Sequence, residues 1–132
     1  MLFLLFQLGE DRYALEAGRV VEVLPLVDLK QLPQAPRGIA GVLNYRGQPV
    51  PVLDLCELTL QRPACERFST RIIVVKCSGD GARESLLGLM AEQATETLRR
   101  ESSDFVNTGL HIPAAPYLGP LATDARGVVQ WI

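Results

Sequence analysis

Apolar residues occur along this chain in short bursts separated by glycine, proline and charged clusters, and no sustained 3.6-residue repeat develops. Leu2 to Leu8, the polar break Gly9-Glu10-Asp11-Arg12 and Tyr13-Ala14-Leu15 read as strand, tight turn and strand. Val20 to Leu26 is dense in β-branched residues with Glu22 inside it, and Pro25 ends it. Leu32 to Gly38 carries Pro33 and Pro36 and predicts a stiffened loop. Ile39 to Tyr45 and Pro49 to Leu55 then read as two strands joined by a turn centred on Arg46-Gly47, the glycine supplying positive φ. Pro49 and Pro51 donate nothing to a ladder, so the second of these strands is expected to lie at an edge or to begin late.

Asp54 is placed to cap a short helix from Glu57 to Leu60. Beyond it the pattern predicts a buried strand from Thr70 to Cys77, a turn at Gly79-Asp80-Gly81, a strand from Ser85 to Met90 and a shorter, separate one from Ala94 to Leu98. From Arg99 to Asp124 the pattern weakens, and Ile112 to Pro120 is too punctuated for a long element; the chain closes on an apolar run, Val128 to Ile132. Strands at short spacing with Gly/Pro turns predict an all-β barrel architecture.

At 132 residues, 48% hydrophobic and 21% charged, the chain is the size of one globular domain and buries a real core without disulfides or a metal. A net charge of -2 and the absence of a basic run argue against nucleic acid as the main partner. Met1 to Phe6 is too short for a membrane span and lacks the positive region of a signal peptide, so a cytoplasmic location without direct membrane insertion is expected. Cys56, Cys65 and Cys77 are odd in number and form no C-x2-C clamp, so reduced, structural thiols are expected rather than a disulfide scaffold or a zinc knuckle.

Catalytic chemistry is thinly represented. His111 is the single histidine, and Cys56 has no nucleophile motif around it, so an enzyme or ligand-binding barrel using His111 and Cys56 is the weaker alternative. Gly79-Asp80-Gly81 precedes a strand, not a helix N-terminus, and makes no phosphate cradle. Single-strand nucleic-acid binding on an OB-like barrel would need aromatic residues among cations, and only Phe 4, Tyr 3 and Trp 1 are present. No catalytic residues, metal ligands or cofactors are assigned. Interaction chemistry remains: Glu22 inside an apolar strand and Arg46 at a turn tip come within reach of each other once the strands pair.

Leu2 to Leu8, Tyr13-Ala14-Leu15, Val20-Val21-Glu22-Val23, the stretch Pro36 to Gly47 containing Gly41-Val42-Leu43-Asn44-Tyr45-Arg46-Gly47, Pro49 to Leu55 and Leu87-Gly88-Leu89 resemble, in this order, the CheW-like domain of chemosensory coupling proteins. The resemblance covers Leu2 to Ile132 and is firmest up to Met90. It implies two intertwined, five-stranded, SH3-like β-barrels forming a single CheW-like domain over residues 1–132. It also implies a non-enzymatic scaffold that couples chemoreceptors to a CheA-type histidine kinase in a bacterial signalling pathway, at receptor arrays on the inner face of the membrane. The pathway is flagellar chemotaxis or an alternative to it. One barrel would dock the kinase's regulatory domain. A groove by the Asn-x-Arg-Gly turn would take the receptor's helical hairpin tip, with Val20, Glu22, Val23, Asn44 and Arg46 on the receptor side: Val20 and Val23 as floor, Glu22 and Arg46 as rim. No residue is carried over for the kinase side. The family runs on past Trp131-Ile132 into a C-terminal helix, so a truncated C-terminal end is an expectation, and Ile112 to Pro120 departs from the family pattern.

Overall fold

The computed structural model describes residues 1–65, 69–78, 84–107, 109 and 119–132, with Ser78 and Glu84 described in their backbone only. Nine strands follow in chain order: β1 Leu2–Leu8, β2 Asp11–Glu16, β3 Val20–Pro25, β4 Ile39–Tyr45, β5 Gln48–Asp54, β6 Arg71–Ser78, β7 Glu84–Arg99, β8 Leu121–Asp124 and β9 Gly127–Trp131. One short helix, α1 Leu55–Leu60, sits between β5 and β6. Strands β1, β2, β8 and β9 pair with one another and with the second half of β7 to make the first barrel. Strands β3 to β6 pair around the first half of β7 to make the second. The chain therefore begins in one barrel, builds the other and returns, so the two five-stranded barrels are intertwined and share β7.

Period-two alternation sorts the apolar residues into three cores. Phe3, Leu5, Ala14, Phe105 and Val129 fill the first barrel, where the Phe3, Phe105 and Trp131 rings meet at centroid distances of 5.1–5.2 Å. Leu43, Val50, Val52, Ile72 and Val74 fill the second. Phe6, Leu8, Tyr13, Leu15, Ile73 and Val75 face the other way and form a third core between the barrels. Strands β1 and β6 are thus buried on both faces, and this is why they read as continuous apolar runs.

The hairpins at Gly9-Glu10 and Arg46-Gly47 form as expected. At the second, Arg46 has φ 51° and Gly47 φ 83°, the left-handed pair that a two-residue hairpin of type I′ requires. Asp54 caps α1, its Oδ1 accepting from the backbone N–H of Cys56 at 3.0 Å and of Glu57 at 3.2 Å. The prolines behave as their chemistry demands: β5 faces only β4 along Pro49 to Pro51 and gains its second neighbour, β7, from Val52 onward.

Two expectations are corrected. The strands expected from Ser85 to Met90 and from Ala94 to Leu98 are one sixteen-residue strand. The polar Glu92-Gln93 step is a bend within it: Gln93 takes φ 52° and the pairing with β1 slips there. The region from Arg99 to Asp124, where the sequence pattern weakens and no element is assigned, ends in a strand, β8, only four residues long. His111, the Gly79 to Gly81 turn and most of the proline-rich stretch lie outside the described residues.

Glu92 explains how the bend is held. Its carboxylate is buried and accepts from the backbone N–H of Cys65 at 2.7 Å, the backbone N–H of Gly9 at 3.3 Å and the Arg62 guanidinium at 3.1 Å. Burial alone would raise its pKa, but the donors from Arg62, Cys65 and Gly9 overcome this and bring it down to about 2. A carboxylate whose folded-state value lies below its ordinary 4.5 contributes its full stabilisation above that value and loses it as the pH falls toward 2. Glu92→Gln is therefore expected to cost about 2 kcal/mol in urea unfolding at neutral pH and to flatten the loss of stability between pH 4.5 and 2. A variant as stable as the parent would show that the carboxylate does not hold the bend.

Candidate docking surface

The five sequence-predicted residues lie on β3 and on the β4–β5 hairpin of the second barrel. In that barrel the strand order is β4-β5-β7-β6-β3, so β3 and β4 are its two edges. Val20 pairs with Val75 but Glu22 pairs with Val74, which leaves Val21 as a bulge. The bulge resets the alternation. Val20 and Val23 consequently share the face of their partners Val75 and Ile73, the face turned toward the inter-barrel core, while Glu22 and Leu24 share the opposite face with Val74 and Ile72. Val20 is half-buried against that core, and Val23 is 39% exposed beside it.

Glu22 reaches from the β3 edge to the β4–β5 turn. Its carboxylate lies 3.6 Å from the Arg46 guanidinium, which is 77% exposed. Arg46 in turn stacks over the Tyr45 ring at 5.3 Å. The nearby Glu22 carboxylate is the main reason the Tyr45 pKa rises above its ordinary value; burial adds to it, and the Arg46 charge opposes it. Asn44 supports this corner from below, its Oδ1 accepting from the Gly47 N–H at 3.0 Å. The structure thus brings Glu22, Asn44 and Arg46 together around Tyr45, a residue that sequence reasoning passed over although it occupies the variable position of the Asn-x-Arg-Gly motif.

Val75, the cross-strand partner of Val20, also lines an apolar cleft of about 330 Å³ at the open side of the inter-barrel core, with Leu15, Leu53, Leu58, Leu87 and Arg19 among its walls. Val20 borders this cleft through its pairing with Val75, whereas Glu22, with Arg46 beside it, lies on the opposite face of β3. A larger hollow of about 700 Å³ lies between the 26–40 segment and α1. Two of its lining carboxylates are already engaged: Asp54 caps α1 and accepts from the Ala64 N–H, and Glu57 accepts from Arg37 Nε at 2.7 Å.

Cys56 makes a poor nucleophile. It is fully buried at the start of α1, and burial, with the charges of Glu92 and Asp54 behind it, pushes its thiol up to about 12. All three cysteines are free, but Cys65 is exposed, contrary to the expectation of a uniformly structural set. Its side chain is held at the surface because its backbone N–H is spent on Glu92. Among the described residues no group of three or more His, Cys, Asp or Glu side chains is placed to hold a metal ion, and no helix is long and apolar enough to cross a membrane.

The family model of the CheW-like domain matches residues 2–132. The chain belongs to the CheW-like domain family. Among its relatives, the chemotaxis protein CheW of Helicobacter pylori is 24% identical over 102 residues, 77% of this chain and 59% of the relative. Protein FrzA of Myxococcus xanthus is 36% identical over 72 residues, 54% of this chain and 45% of FrzA. The CheW-like chain thus spans about half the length of these relatives. The crystal structure of the scaffolding protein TtCheW from Thermoanaerobacter tengcongensis superposes with a TM-score of 0.84 at 22% identity, covering 99% of this chain and 82% of that one, and establishes the double-barrel CheW fold.

The thiols provide a direct check on this geometry. A thiol reagent at neutral pH is expected to modify Cys65 first and Cys56 only on unfolding, with three thiols counted in denaturant. Native labelling of Cys56 at the rate of Cys65 would contradict the packing at the start of α1.

Proposed function

We propose that this CheW-like protein is a non-enzymatic adaptor that couples the cytoplasmic tip of a chemoreceptor to a CheA-type histidine kinase. The observation that carries the reading is the match of residues 2–132 to the CheW-like domain, supported by relatives named as chemotaxis and scaffolding proteins. The local geometry agrees with a docking role. Val20 and Val23 offer aliphatic area on one face of the β3 edge, and Glu22 and Arg46 offer charge on its other face. Apolar floors supply affinity, whereas rim charges mainly set register and partner choice.

The receptor side is assigned to Val20, Glu22, Val23, Asn44 and Arg46, and the kinase regulatory domain to a separate surface. The adaptor would work at receptor arrays on the inner face of the membrane, so a fluorescent fusion should gather in receptor-dependent foci.

Arg46→Glu places two like charges at the Glu22 corner. An exposed pair at 3.6 Å contributes less than about 1 kcal/mol to the fold, so the thermal midpoint is expected to move little. Receptor-fragment binding, followed by calorimetry, should fall at least tenfold while kinase-domain binding persists. Equal loss of both partners would make Arg46 structural, and full retention of receptor binding would move the groove elsewhere. His111→Ala should leave receptor-dependent kinase activation unchanged; a folded variant that has lost coupling would revive the enzyme reading.

A further inference from the structure

The cleft of about 330 Å³ at the open side of the inter-barrel core is aliphatic almost throughout. Leu15 of β2, Leu53 of β5, Val75 of β6 and Leu87 and Leu89 of β7 build its walls, and no aromatic ring lines it among the described residues. Strand register explains this. Val75 pairs with Leu87 and Ile73 with Leu89, so these side chains share the face that looks between the barrels, and Cys77, two residues beyond Val75, falls on the same face.

Two polar groups meet this aliphatic surface. Cys77 is a half-buried free thiol. Arg19 ends the 3-10 turn Ala17–Arg19, where the chain passes from β2 to β3, and its side chain is exposed. Six arginines among the described residues face an Asp or Glu carboxylate, whereas Arg19 has neither an ion pair nor a side-chain hydrogen bond there. No carboxylate lines the cleft among the described residues.

An aliphatic cleft with one uncommitted cation at its edge suits an amphiphile with an alkyl body and a single negative head. The body takes aliphatic wall out of water, while the head rests on an exposed guanidinium and keeps most of its hydration. At about 30 Å³ for each water-sized group, the cleft holds one chain of about eight carbons. It is too small for the two chains of a phospholipid or for an α-helix, which is about 10 Å across.

We propose that the inter-barrel cleft binds a free medium-chain fatty acid, with the alkyl chain along Leu15, Val75, Leu87 and Leu89 and the carboxylate on Arg19. The Glu22–Arg46 corner lies on the opposite face of β3 and takes no part. Occupancy of the site requires neither receptor nor kinase.

Calorimetric titration of the intact chain with hexanoate, heptanoate and octanoate tests the site. Each added methylene should tighten binding about three- to fourfold. Arg19→Gln should weaken octanoate about fivefold and leave 1-octanol, which has the same body and no charge, unchanged. Retained octanol binding also shows that the variant is folded. In parallel, octanoate should slow alkylation of Cys77 by about fivefold or more, while Cys65, which lies outside the cleft, reacts at its unliganded rate. Absence of octanoate binding, an affinity independent of chain length, equal effects of Arg19→Gln on octanoate and octanol, or slowing of Cys65 along with Cys77 would overturn the proposal. Protection of Cys77 by a chemoreceptor signalling fragment, with octanoate giving none, would overturn it too and assign the cleft to a protein partner.

Discussion

Strand β7 belongs to both barrels, and the rest of the structure depends on its being able to do so. Its first half pairs with β6 and β5, its second with β1, and between them the chain turns at Gln93 in a left-handed conformation that a non-glycine residue adopts only when its surroundings compel it. Glu92 supplies the compulsion. A carboxylate drawn into the interior must find donors, and it finds them on two separate segments: the β1–β2 turn at Gly9, and the loop after α1 with the Cys65 N–H and the Arg62 side chain. One buried charge thereby gathers the chain around the bend, and the third core closes between the two barrels.

That third core has one open side among the described residues, and the proposed docking surface begins beside it. Strands β1, β2, β6 and β7 each carry apolar residues on both faces, so the inter-barrel layer is as apolar as a barrel interior, yet at the cleft beside Leu15, Val75 and Leu87 no further layer of the described residues covers it. The bulge at Val21 swings Val20 and Val23 onto this face and sends Glu22 to the other, toward Tyr45 and Arg46. Aliphatic area and charge are segregated by one unpaired residue.

Much of the fold was legible in the sequence because its strands are short and their ends carry chemical marks. Gly9, Pro25, Gly47 and the Asp54 cap each stop or start an element for a reason visible in one residue. The two-barrel arrangement was legible only through family resemblance, since periodicity shows that a strand is buried on both faces without showing what lies against each. The bend at Gln93 was misread as a gap because a polar Glu92-Gln93 step looks the same whether its carboxylate faces solvent or three donors. The docking surface was half legible. Glu22 and Arg46 stood out as charges in apolar company. Val20 and Val23, three apart, lie on opposite faces by simple alternation, and only the slipped register with β6 reunites them. Tyr45 reads as one more core aromatic until the Arg46 guanidinium is found over its ring.

In the proposed adaptor one face receives a receptor while another holds a kinase. Amide hydrogen exchange of the protein alone, with the receptor signalling fragment and with the kinase regulatory domain tests this most directly. The receptor fragment is expected to slow exchange at residues 20–24 and 44–47 and along the cleft around Val75, and the kinase domain to slow a different set of amides and leave these unchanged. Protection of one and the same set by both partners, or protection by the receptor fragment confined to the first barrel, would contradict it.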